Sequence, residues 1–486
     1  MFLGIDIGTS EVKALLLNDA HEVVGVAGSP LEVSLPAPGH SEQAPSSWWA
    51  GTQAALATLR ARHPEAFAEV SAIGLSGQMH GAVLLDKDLA VLRPAMLWND
   101  VRSAAECTEM MDALPALPHL AGSLAMPGFT APKLRWLATH EPDVFAKVYK
   151  VLLPKDYVRL MLTGECVTDL SDASGTMWLD VARRAWSPEL LALTGLNESH
   201  MPRLIEGSAE GGLLSAGAAA VLGLRPGIVV AGGGGDNAAS AIGMGSVEAG
   251  QGFLSLGTSG VLFVVTPSYQ PNAASATHAF CHAIPGRWHQ MSVMLSAASC
   301  LQWAAGALGL ASAGALEALA SSLSRTQQAQ APLFLPYLSG ERTPHNDAHI
   351  RGSFHGLSGS TDPAALAYAV IEGVSFGLTD GLKALHEAGC TIQRLSLVGG
   401  GARSAFWAQQ LASSLGIEIV THAESTAGGA LGAARLAWLA TGGTEAQVCI
   451  PPATHALYRP DPAEQALLAP RYARFRALYH ALKNIH

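Results

Sequence analysis

The stretch GIDIGTSEVKALLL, residues 4–17, decides the fold, because its pattern returns as FLSLGTSGVLFVV at residues 253–265. Each copy runs from a short apolar segment into Gly-Thr-Ser and then into a second apolar segment. This pattern predicts two strands joined by a tight turn, whose tip offers backbone N–H groups and hydroxyls to an anion. The equivalent threonines, Thr9 and Thr258, lie about half of the 486 residues apart. We therefore expect a phosphate-bearing nucleotide held between two related domains.

The two copies differ at one position that carries chemistry. Asp6 stands three residues before its threonine, where the second copy has Ser255. A carboxylate in a strand is costly unless it is paired, hydrated or bound to a cation, and a lone Asp more often lies at a sheet edge or caps a turn. Beside a Gly-Thr-Ser turn, however, its oxygens can orient Mg²⁺ next to the phosphates. We therefore predict Asp6 on the metal side of the site.

A second acid, Asp236, follows four consecutive glycines at the end of an apolar strand and precedes a helix of small residues. Glycines before a helix N-terminus leave room for a ligand and expose unpaired N–H groups. Asp is also a good N-cap residue, but a cap does not require four glycines, which lose much conformational entropy on folding. We predict that Asp236 is catalytic rather than only a cap.

Two further loops have glycines at positions where a ligand can approach. The loop GQMHG, residues 77–81, follows a strand and carries a histidine that either binds a polar ligand or is satisfied within its own turn. The run VGGGA, residues 398–402, lies between a strand and a helix, as in a nucleotide-binding turn. Its spacing matches neither a dinucleotide fingerprint nor a Walker loop, so the nucleotide is not expected to bind in either of those two ways.

The composition excludes several classes of protein. The formal net charge of −10 argues against nucleic acid as a partner, because no basic tract is present to neutralise phosphates. Membrane insertion is not expected, since no uncharged, strongly apolar run reaches about 18 residues. Six widely spaced cysteines without a Cys-x-x-Cys pair, and an N-terminus unlike a secretory signal, predict a cytoplasmic protein with reduced, buried thiols.

Strands and helices alternate in both halves, which predicts α/β layers around largely buried sheets. Residues 83–85 and 95–98 are expected to continue the first sheet. Glycines cluster near residues 244–252, so we place the domains at 1–245 and 246–486. The sequence leaves open whether the final helix, residues 470–482, packs back on the first domain.

Two polar segments, residues 97–102 and 336–345, surround predicted turns. Each could line a cleft or simply lock a long loop through an internal Asp–Arg or Glu–Arg pair. We favour the structural interpretation for both, because surface loops usually use such groups to satisfy their own backbone.

Two longer motifs complete a resemblance to the FGGY carbohydrate kinases, within the actin-like ATPase superfamily. GFTAPKLRWL, residues 128–137, and GSFHGL, residues 352–357, leading to AVIE, residues 369–372, are similar to the two family signatures. The resemblance covers essentially the whole chain. It implies an α/β fold of two actin-like (ribonuclease H-like) ATPase domains with a cleft between them, and ATP and Mg²⁺ as cofactors. Within the family, the loops are most similar to those of bacterial members that act on D-xylulose.

By this resemblance, the γ-phosphoryl group of ATP passes to O5 of D-xylulose, with Asp236 as the general base. Asp6 is then the activity-critical acid on the metal side, and both acids are candidate Mg²⁺ ligands, directly or through water. The expected sugar contacts are Gln78, Met79, His80 and Asn237. The expected nucleotide contacts are Gly8, Thr9, Ser10, Lys13, Gly257, Thr258, Ser259, Gly400 and Gly401, the last two against the adenosine.

Three alternatives stay open at this point. The same chemistry could act on ribulose or glycerol, although Met79 and His80 argue against glycerol kinases, whose loop usually carries a charged Arg-Glu pair there. A non-catalytic ATP-driven binding protein on the same fold predicts a separate peptide-binding domain, which we do not expect here. A regulatory sugar sensor is disfavoured by Asp236. The expected partner is a small-molecule sugar, with a homodimer as one option for assembly.

Overall fold

The computed structural model describes residues 1–422 and 428–485, in which each half of the chain builds a seven-stranded mixed sheet. The strands of the first half are Phe2–Ile7 (β1), Glu11–Leu17 (β2), Val23–Pro30 (β3), Glu42–Gln43 (β4), Ala72–Gly77 (β5), Val83–Leu85 (β6), Ala95–Met96 (β7), Lys150–Leu152 (β8), Val167–Asp169 (β9), Leu179–Asp180 (β10), Ala185–Trp186 (β11), Arg203–Ile205 (β12), Glu210–Leu213 (β13), Val229–Ala231 (β14) and Gly234–Gly235 (β15). Its helices are Pro45–Arg62 (α1), Pro64–Ala68 (α2), Ala104–Ala113 (α3), Leu117–Ala121 (α4), Thr130–His140 (α5), Pro142–Phe145 (α6), Pro154–Thr163 (α7), Leu170–Ser174 (α8), Pro188–Ala192 (α9), Ala216–Leu222 (α10) and Asp236–Gly243 (α11).

The second half has fewer and longer elements. Its strands are Gly252–Leu256 (β16), Gly260–Thr266 (β17), His278–Cys281 (β18), Trp288–Met294 (β19), Leu333–Leu335 (β20), Ser353–His355 (β21), Arg394–Val398 (β22), Glu418–His422 (β23) and Thr454–Tyr458 (β24). Its helices are Ala298–Ala307 (α12), Ala313–Ser321 (α13), Arg325–Gln330 (α14), Pro363–Glu387 (α15), Ala405–Leu415 (α16), Gly428–Ala440 (α17), Glu445–Val448 (α18) and Pro462–Leu482 (α19).

The first sheet is built around the predicted hairpin, which is confirmed. β1 and β2 pair antiparallel, while β1 runs parallel to β5 and β5 runs parallel to β14. The strand order is β13-β14-β5-β1-β2-β3, and the seventh strand, β15, also pairs with β5. Three parallel strands therefore end at one edge of the sheet, where ligands bind in open α/β folds. The segments that follow those ends are the Gly-Thr-Ser tip, the GQMHG loop and the four glycines.

The second sheet repeats this arrangement, so the sequence repeat is also a structural repeat. Its order is β18-β19-β17-β16-β22-β23-β24, with β16 antiparallel to β17 and parallel to β22. The two hairpin tips are not identical. The pairing of Ile7 with Val12 leaves residues 8–11 in the first turn, whereas the pairing of Leu256 with Gly260 leaves only residues 257–259 in the second. The second turn is therefore one residue tighter.

The two halves meet along a pair of small-residue helices. α11 and α17 pack against each other, and α17 also covers β1 and β5. Arg435 of α17 donates hydrogen bonds to the Ile242 and Gly243 carbonyls at the end of α11, each at 3.0 Å. A helix that lies between β23 and β24 of the second sheet in the chain thus packs on the first sheet. The division after residue 245 stays a prediction.

The structure corrects one expectation about the organisation and answers one question that the sequence left open. β6 and β7 do not continue the first sheet, because β6 pairs with β8 and β7 with β4 in separate two-stranded sheets. Apolar runs this short carry no information about their pairing partner. The final helix α19 packs on the second half rather than the first, where Arg471 forms a buried ion pair with Glu372 at 2.6 Å.

The six cysteines are free, and five of them are buried as expected, with Cys166 half-buried. Across the described ranges 1–422 and 428–485, no helix combines the length and the apolar character that crossing a bilayer requires.

Candidate active site

A cleft of about 240 Å³ opens between the two halves of the molecule. Its lining comes from β1, β2 and α11 on one side and from the second half on the other: Asp6, Lys13, Asn237, Ser240, Met244, Phe253, Ser255, Val398, Gly399, Gly428 and Gly429. The predicted site residues Asp6, Lys13 and Asn237 therefore line one cleft together with Val398 and Gly399 of the predicted adenosine-binding turn. A larger cavity of about 630 Å³ has only Met244 in common with this cleft and contains none of the predicted residues. Size alone does not locate the chemistry here.

Asp6 holds a carboxylate oxygen without a protein partner. Its Oδ1 is buried and makes no hydrogen bond within the described part of the chain. Burial raises the pKa of this carboxyl, while the neighbouring Ser76 hydroxyl and the Lys13 ammonium lower it. Lys13 lies opposite Asp6 on β2 and also pairs with Glu11 at 3.0 Å. Because an unpaired buried oxygen is costly, Asp6 is suited to a bound cation.

Among the described residues, no group of three or more His, Cys, Asp or Glu side chains is arranged to hold a metal ion. Mg²⁺ is usually held by one or two carboxylates together with water and substrate phosphates. The orphaned Oδ1 of Asp6 therefore fits Mg²⁺ only if the nucleotide supplies the other oxygens.

At the first hairpin tip the Thr9 hydroxyl is already hydrogen-bonded within the protein, whereas two backbone donors are free of partners among the described residues. Thr9 Oγ1 donates to Gln78 Oε1 and accepts from Trp98 Nε1, both at 3.0 Å. The N–H groups of Thr9 and Ser10 donate to no acceptor in residues 1–422 and 428–485. An anion at this tip would therefore be bound by these N–H groups.

The side chain of Gln78, a predicted sugar contact, is bonded to the first hairpin tip. Its side chain is 3% exposed. Its Nε2 donates to Gln43 Oε1 at 3.0 Å and to the Gly8 carbonyl at 3.3 Å, and Gln43 in turn donates to the Thr9 carbonyl at 2.7 Å. The amide groups of Gln78 are thus used to brace the hairpin tip. This position does not support direct contact with a sugar.

The second tip is braced by the start of α12. The Thr258 carbonyl accepts from the Ala297 N–H at 2.9 Å and from Ser299 Oγ at 2.8 Å. The Gly257 N–H closes the turn on the Ser259 carbonyl at 3.0 Å. As in the first tip, the N–H groups of residues 258 and 259 have no acceptor within the described chain. Each tip therefore has the same pair of backbone N–H groups available to a ligand.

The predicted adenosine turn divides into an open and a packed glycine. Gly400 is exposed, whereas Gly401 is buried against Leu256 and Trp407. Of the two glycines predicted to contact the adenosine, only Gly400 therefore has open backbone for a ligand to approach.

Asp236 is the first residue of α11, and the N-cap position belongs to Gly235, so the capping alternative is not observed. Its Oδ1 accepts from the Asn237 N–H at 2.7 Å and from Asn237 Nδ2 at 2.9 Å. Its Oδ2 accepts no hydrogen bond from the described residues. Burial raises the pKa of Asp236 to about 7, and the charge of Asp6 adds to this effect, while the bonds from Asn237 oppose it. A half-buried carboxylate with a free oxygen and this pKa is suited to accept a proton near neutral pH.

The glycine run before Asp236 has a reason that the sequence did not reveal. A Cβ on Gly232 would lie 2.2 Å from the Glu206 carbonyl oxygen. Gly233 has a φ of 78°, and a Cβ there would lie 2.2 Å from the Leu75 carbonyl oxygen. At these two positions the glycines admit the protein's own backbone. The structure thus explains half of the run by packing rather than by room for a ligand.

Met79 and His80 lie together beside the glycine run that leads into Asp236. Met79 is buried and packs on Gly235. His80 has a φ of 70°, a left-handed conformation that is uncommon outside glycine. Its carbonyl accepts from Thr130 Oγ1 at 3.1 Å and from Lys133 Nζ at 3.0 Å. The GFTAPK motif therefore holds this loop in its strained conformation.

The His80 ring is neutral and has a defined tautomer. Its Nδ1 lies 2.7 Å from the Gly175 carbonyl oxygen, which can only accept, so Nδ1 carries the proton. Burial lowers the pKa of His80 to about 3, and the nearby charges of Lys133 and Arg342 lower it further against the opposing Gly175 bond. Nε2 is therefore a hydrogen-bond acceptor, suited to a sugar hydroxyl.

The two polar segments have different outcomes. Asp100 and Arg102 form the predicted internal pair at 2.7 Å. In the second segment, Glu341 Oε1 accepts from the Leu295 and Arg342 N–H groups instead of from a guanidinium. The Arg342 side chain instead reaches His278 Nε2 at 3.3 Å. The sequence did not predict that Arg342 lies near His80. The only signal was that Arg342 belongs to the polar segment 336–345, which could have lined a cleft.

Known proteins resemble this chain over its full length. The models of the FGGY family of carbohydrate kinases match the chain, the N-terminal domain at residues 1–243 and the C-terminal domain at residues 252–441. The chain is 49% identical over its full length to the whole xylulose kinase of Klebsiella pneumoniae, and 48% identical over 99% of both chains to that of Escherichia coli strain K12. A solved structure of a xyloylose kinase from Brucella ovis superimposes with a TM-score of 0.96 at 51% identity, covering 100% of both chains.

Proposed function

The chain belongs to the FGGY family of carbohydrate kinases, and from this premise we propose that it transfers the γ-phosphoryl group of ATP to O5 of D-xylulose, giving D-xylulose 5-phosphate and ADP. It is a phosphotransferase that acts on D-xylulose, as its full-length identity to xylulose kinases indicates. The atom phosphorylated and the residue roles are the proposal. The observation that carries them is the free Oδ2 of Asp236, whose Oδ1 is fixed by Asn237.

Asp236 acts as the general base. Its Oδ2 accepts the proton of the O5 hydroxyl while the oxygen forms its bond to the γ-phosphorus and the bond to the β-phosphate oxygen breaks. Such a transfer needs little covalent work from the protein, so positioning and charge stabilisation supply most of the rate. The Nε2 atom of neutral His80 accepts a hydrogen bond from a sugar hydroxyl. The buried Met79 side chain forms the floor of the sugar site between His80 and Gly235.

Asp6 is the acid on the metal side. Mg²⁺ bound at its orphaned Oδ1 would neutralise charge on the phosphates. The backbone N–H groups of Thr9, Ser10, Thr258 and Ser259 bind the phosphates from the two sides of the cleft, and Lys13 adds a positive charge. Exposed Gly400 lies against the adenosine. We assign Asp236 to the proton and not to the metal, because one carboxylate oxygen cannot serve both.

The location and assembly belong to the same proposal. The free cysteines and the need for ATP support a cytoplasmic location. A homodimer is proposed from the family resemblance alone.

The proposed substrate is tested by ADP release across a panel of acceptors. We expect kcat/KM to be highest for D-xylulose, with D-ribulose and glycerol far behind, because the His80 acceptor and the Met79 floor are fixed in place by the surrounding packing. A reaction without sugar measures hydrolysis by water. A higher kcat/KM for ribulose or glycerol would contradict the assignment, and equal ADP release with and without sugar would point to an ATPase.

The pH profile tests the base separately. Below a pH of about 7 the raised pKa keeps Asp236 protonated, so Oδ2 cannot accept the hydroxyl proton. We therefore expect kcat/KM for D-xylulose to rise with pH up to about 7 and then to level off. An acidic limb near the ordinary Asp value of 3.8 would mean that the site does not raise this pKa.

A further inference from the structure

A fully buried charge cluster lies beneath the base loop, outside the cleft. Lys155 Nζ is 2.6 Å from Asp156 Oδ1, 2.8 Å from Asp169 Oδ1 and 3.0 Å from Asp172 Oδ2, and all four side chains have no solvent exposure. Burying charges is expensive, and a buried ion pair is often no more stabilising than an apolar pair of the same volume. Stability alone is therefore a weak reason for this cluster.

The cluster is connected to the residue that precedes the base. Asp169 Oδ2 accepts hydrogen bonds from the Ser171 N–H at 2.8 Å and from the Ser171 hydroxyl. Because the Ser171 hydroxyl donates its hydrogen to this bond with Asp169, the lone pairs of Oγ are free to accept a hydrogen bond. Oγ accepts one from the Gly235 N–H at 3.2 Å. Gly235 is bonded directly to Asp236. A chain of contacts thus runs from Lys155 through Asp169 and Ser171 to the base.

The other end of the glycine run is fixed by the same helix that carries Lys155. Arg159, fully buried on α7, donates to the Ala231 carbonyl at 2.5 Å and to the Gly232 carbonyl. The run is therefore held by donors at its start and by the Ser171 acceptor at its end. Position 235 is the last point at which the backbone is fixed before the catalytic carboxylate.

α8 also reaches the sugar loop. Its C-cap residue, Gly175, accepts from His80 Nδ1 at 2.7 Å. Ser171 and Gly175 are four residues apart, about one helical turn. One short helix, held by Asp169 at its N-cap, therefore contacts the loop of the base at one end and the histidine of the sugar site at the other.

We propose that Ser171 is a positioning residue that sets Asp236 against the acceptor hydroxyl, and that Asp169 and Lys155 fix the orientation of its hydroxyl. This inference rests on the proposed function of Asp236. Ser171 touches neither substrate nor nucleotide in this role, and it acts only through the Gly235 N–H. The same helix gives Gly175 the separate task of orienting His80.

The test compares Ser171→Ala with Gly175→Ala. Ser171→Ala removes the acceptor of the Gly235 N–H, and we expect kcat to fall by roughly 10- to 100-fold, as small misplacements of catalytic groups do, with KM for sugar and ATP unchanged. Ser171→Thr keeps the hydroxyl and should restore most of kcat. In Gly175→Ala the backbone is allowed, with φ at −76°, but the new Cβ would lie 2.7 Å from His80 Nδ1 and 2.9 Å from Met79 Cε. This variant should mainly raise KM for the sugar.

The outcomes separate the inference from the function on which it rests. The inference is overturned if Ser171→Ala has a normal kcat and only a lower melting temperature. It is also overturned if Ser171→Ala lowers kcat and Ser171→Thr lowers it equally. If Ser171→Ala does not fold, Ser171→Cys keeps the volume with a weak acceptor, and a normal kcat for it overturns the inference equally. Asp236→Asn is measured alongside. If Asp236→Asn retains turnover, the proposed base is contradicted. If Asp236→Asn loses turnover while Ser171→Ala keeps a normal kcat, only the positioning role is contradicted.

Discussion

Asp236→Asn is expected to lower kcat for D-xylulose by roughly 10²- to 10⁴-fold, the usual contribution of a positioned general base. The change keeps the shape of the side chain and an oxygen for the two Asn237 donors. It removes the ability of the other terminal atom to accept a proton. ATP affinity should stay unchanged, because the phosphate donors lie on the two hairpin tips. Single-turnover rates and nucleotide binding, measured on the same preparation, give both quantities.

Asp19→Asn is the matched control for this prediction. Asp19 lies on an exposed turn of the first half, so the same change of chemistry there should leave kcat at the wild-type value. Asp236→Asn should also melt no earlier than the wild type, because a neutral amide is easier to bury than a carboxylate whose pKa burial has raised. A folded Asp236→Asn protein with near-normal kcat would contradict the general-base role.

The doubled hairpin was the part of the fold most accessible from sequence. Apolar strands flanking Gly-Thr-Ser identify a local structure, and its repetition identifies the two related sheets. The pairing of β6 with β8 and of β7 with β4 was not accessible, because partners distant in the chain leave no trace in runs of two or three apolar residues. The same limit applies to α19, whose docking depends on the buried pair of Arg471 and Glu372.

The candidate site shows a related division. Asp6 and Asp236 were predicted as site residues because each stands beside glycines, although packing against the protein's own backbone explains two of the four glycines before Asp236. Gln78 was predicted as a sugar contact from the family resemblance, whereas its amide donates to the hairpin tip and to Gln43. Ser171 gave no signal at all, since its importance depends on the Gly235 N–H that the fold brings to it. Contacts between distant segments were the missing information.

Asp6→Asn gives the second large expected effect. We expect kcat to fall by roughly 100-fold or more, as when one preorganised electrostatic group is removed from an active site. The Mg²⁺ concentration for half-maximal activity should rise, because the amide oxygen that replaces the orphaned Oδ1 carries no full charge to attract the cation. A magnesium titration of the residual activity measures this shift, with Asp19→Asn again as control. An unchanged magnesium dependence would contradict the metal-side role of Asp6.

Two further readouts distinguish loss of the metal-side charge from damage to the fold. The charge of Asp6 helps to raise the pKa of Asp236, so in Asp6→Asn the acidic limb of the residual activity should move to lower pH. The melting temperature should stay the same or increase, since a neutral amide relieves the cost of the buried, unpaired oxygen. If Asp6→Asn has lower activity, a lower melting temperature and an acidic limb of the pH profile at the wild-type pH, then Asp6 stabilises the sheet and does not take part in the reaction. Adding Ser255→Asp to Asp6→Asn should not restore activity, because the new carboxylate would enter the cleft from the second half of the chain instead of from β1.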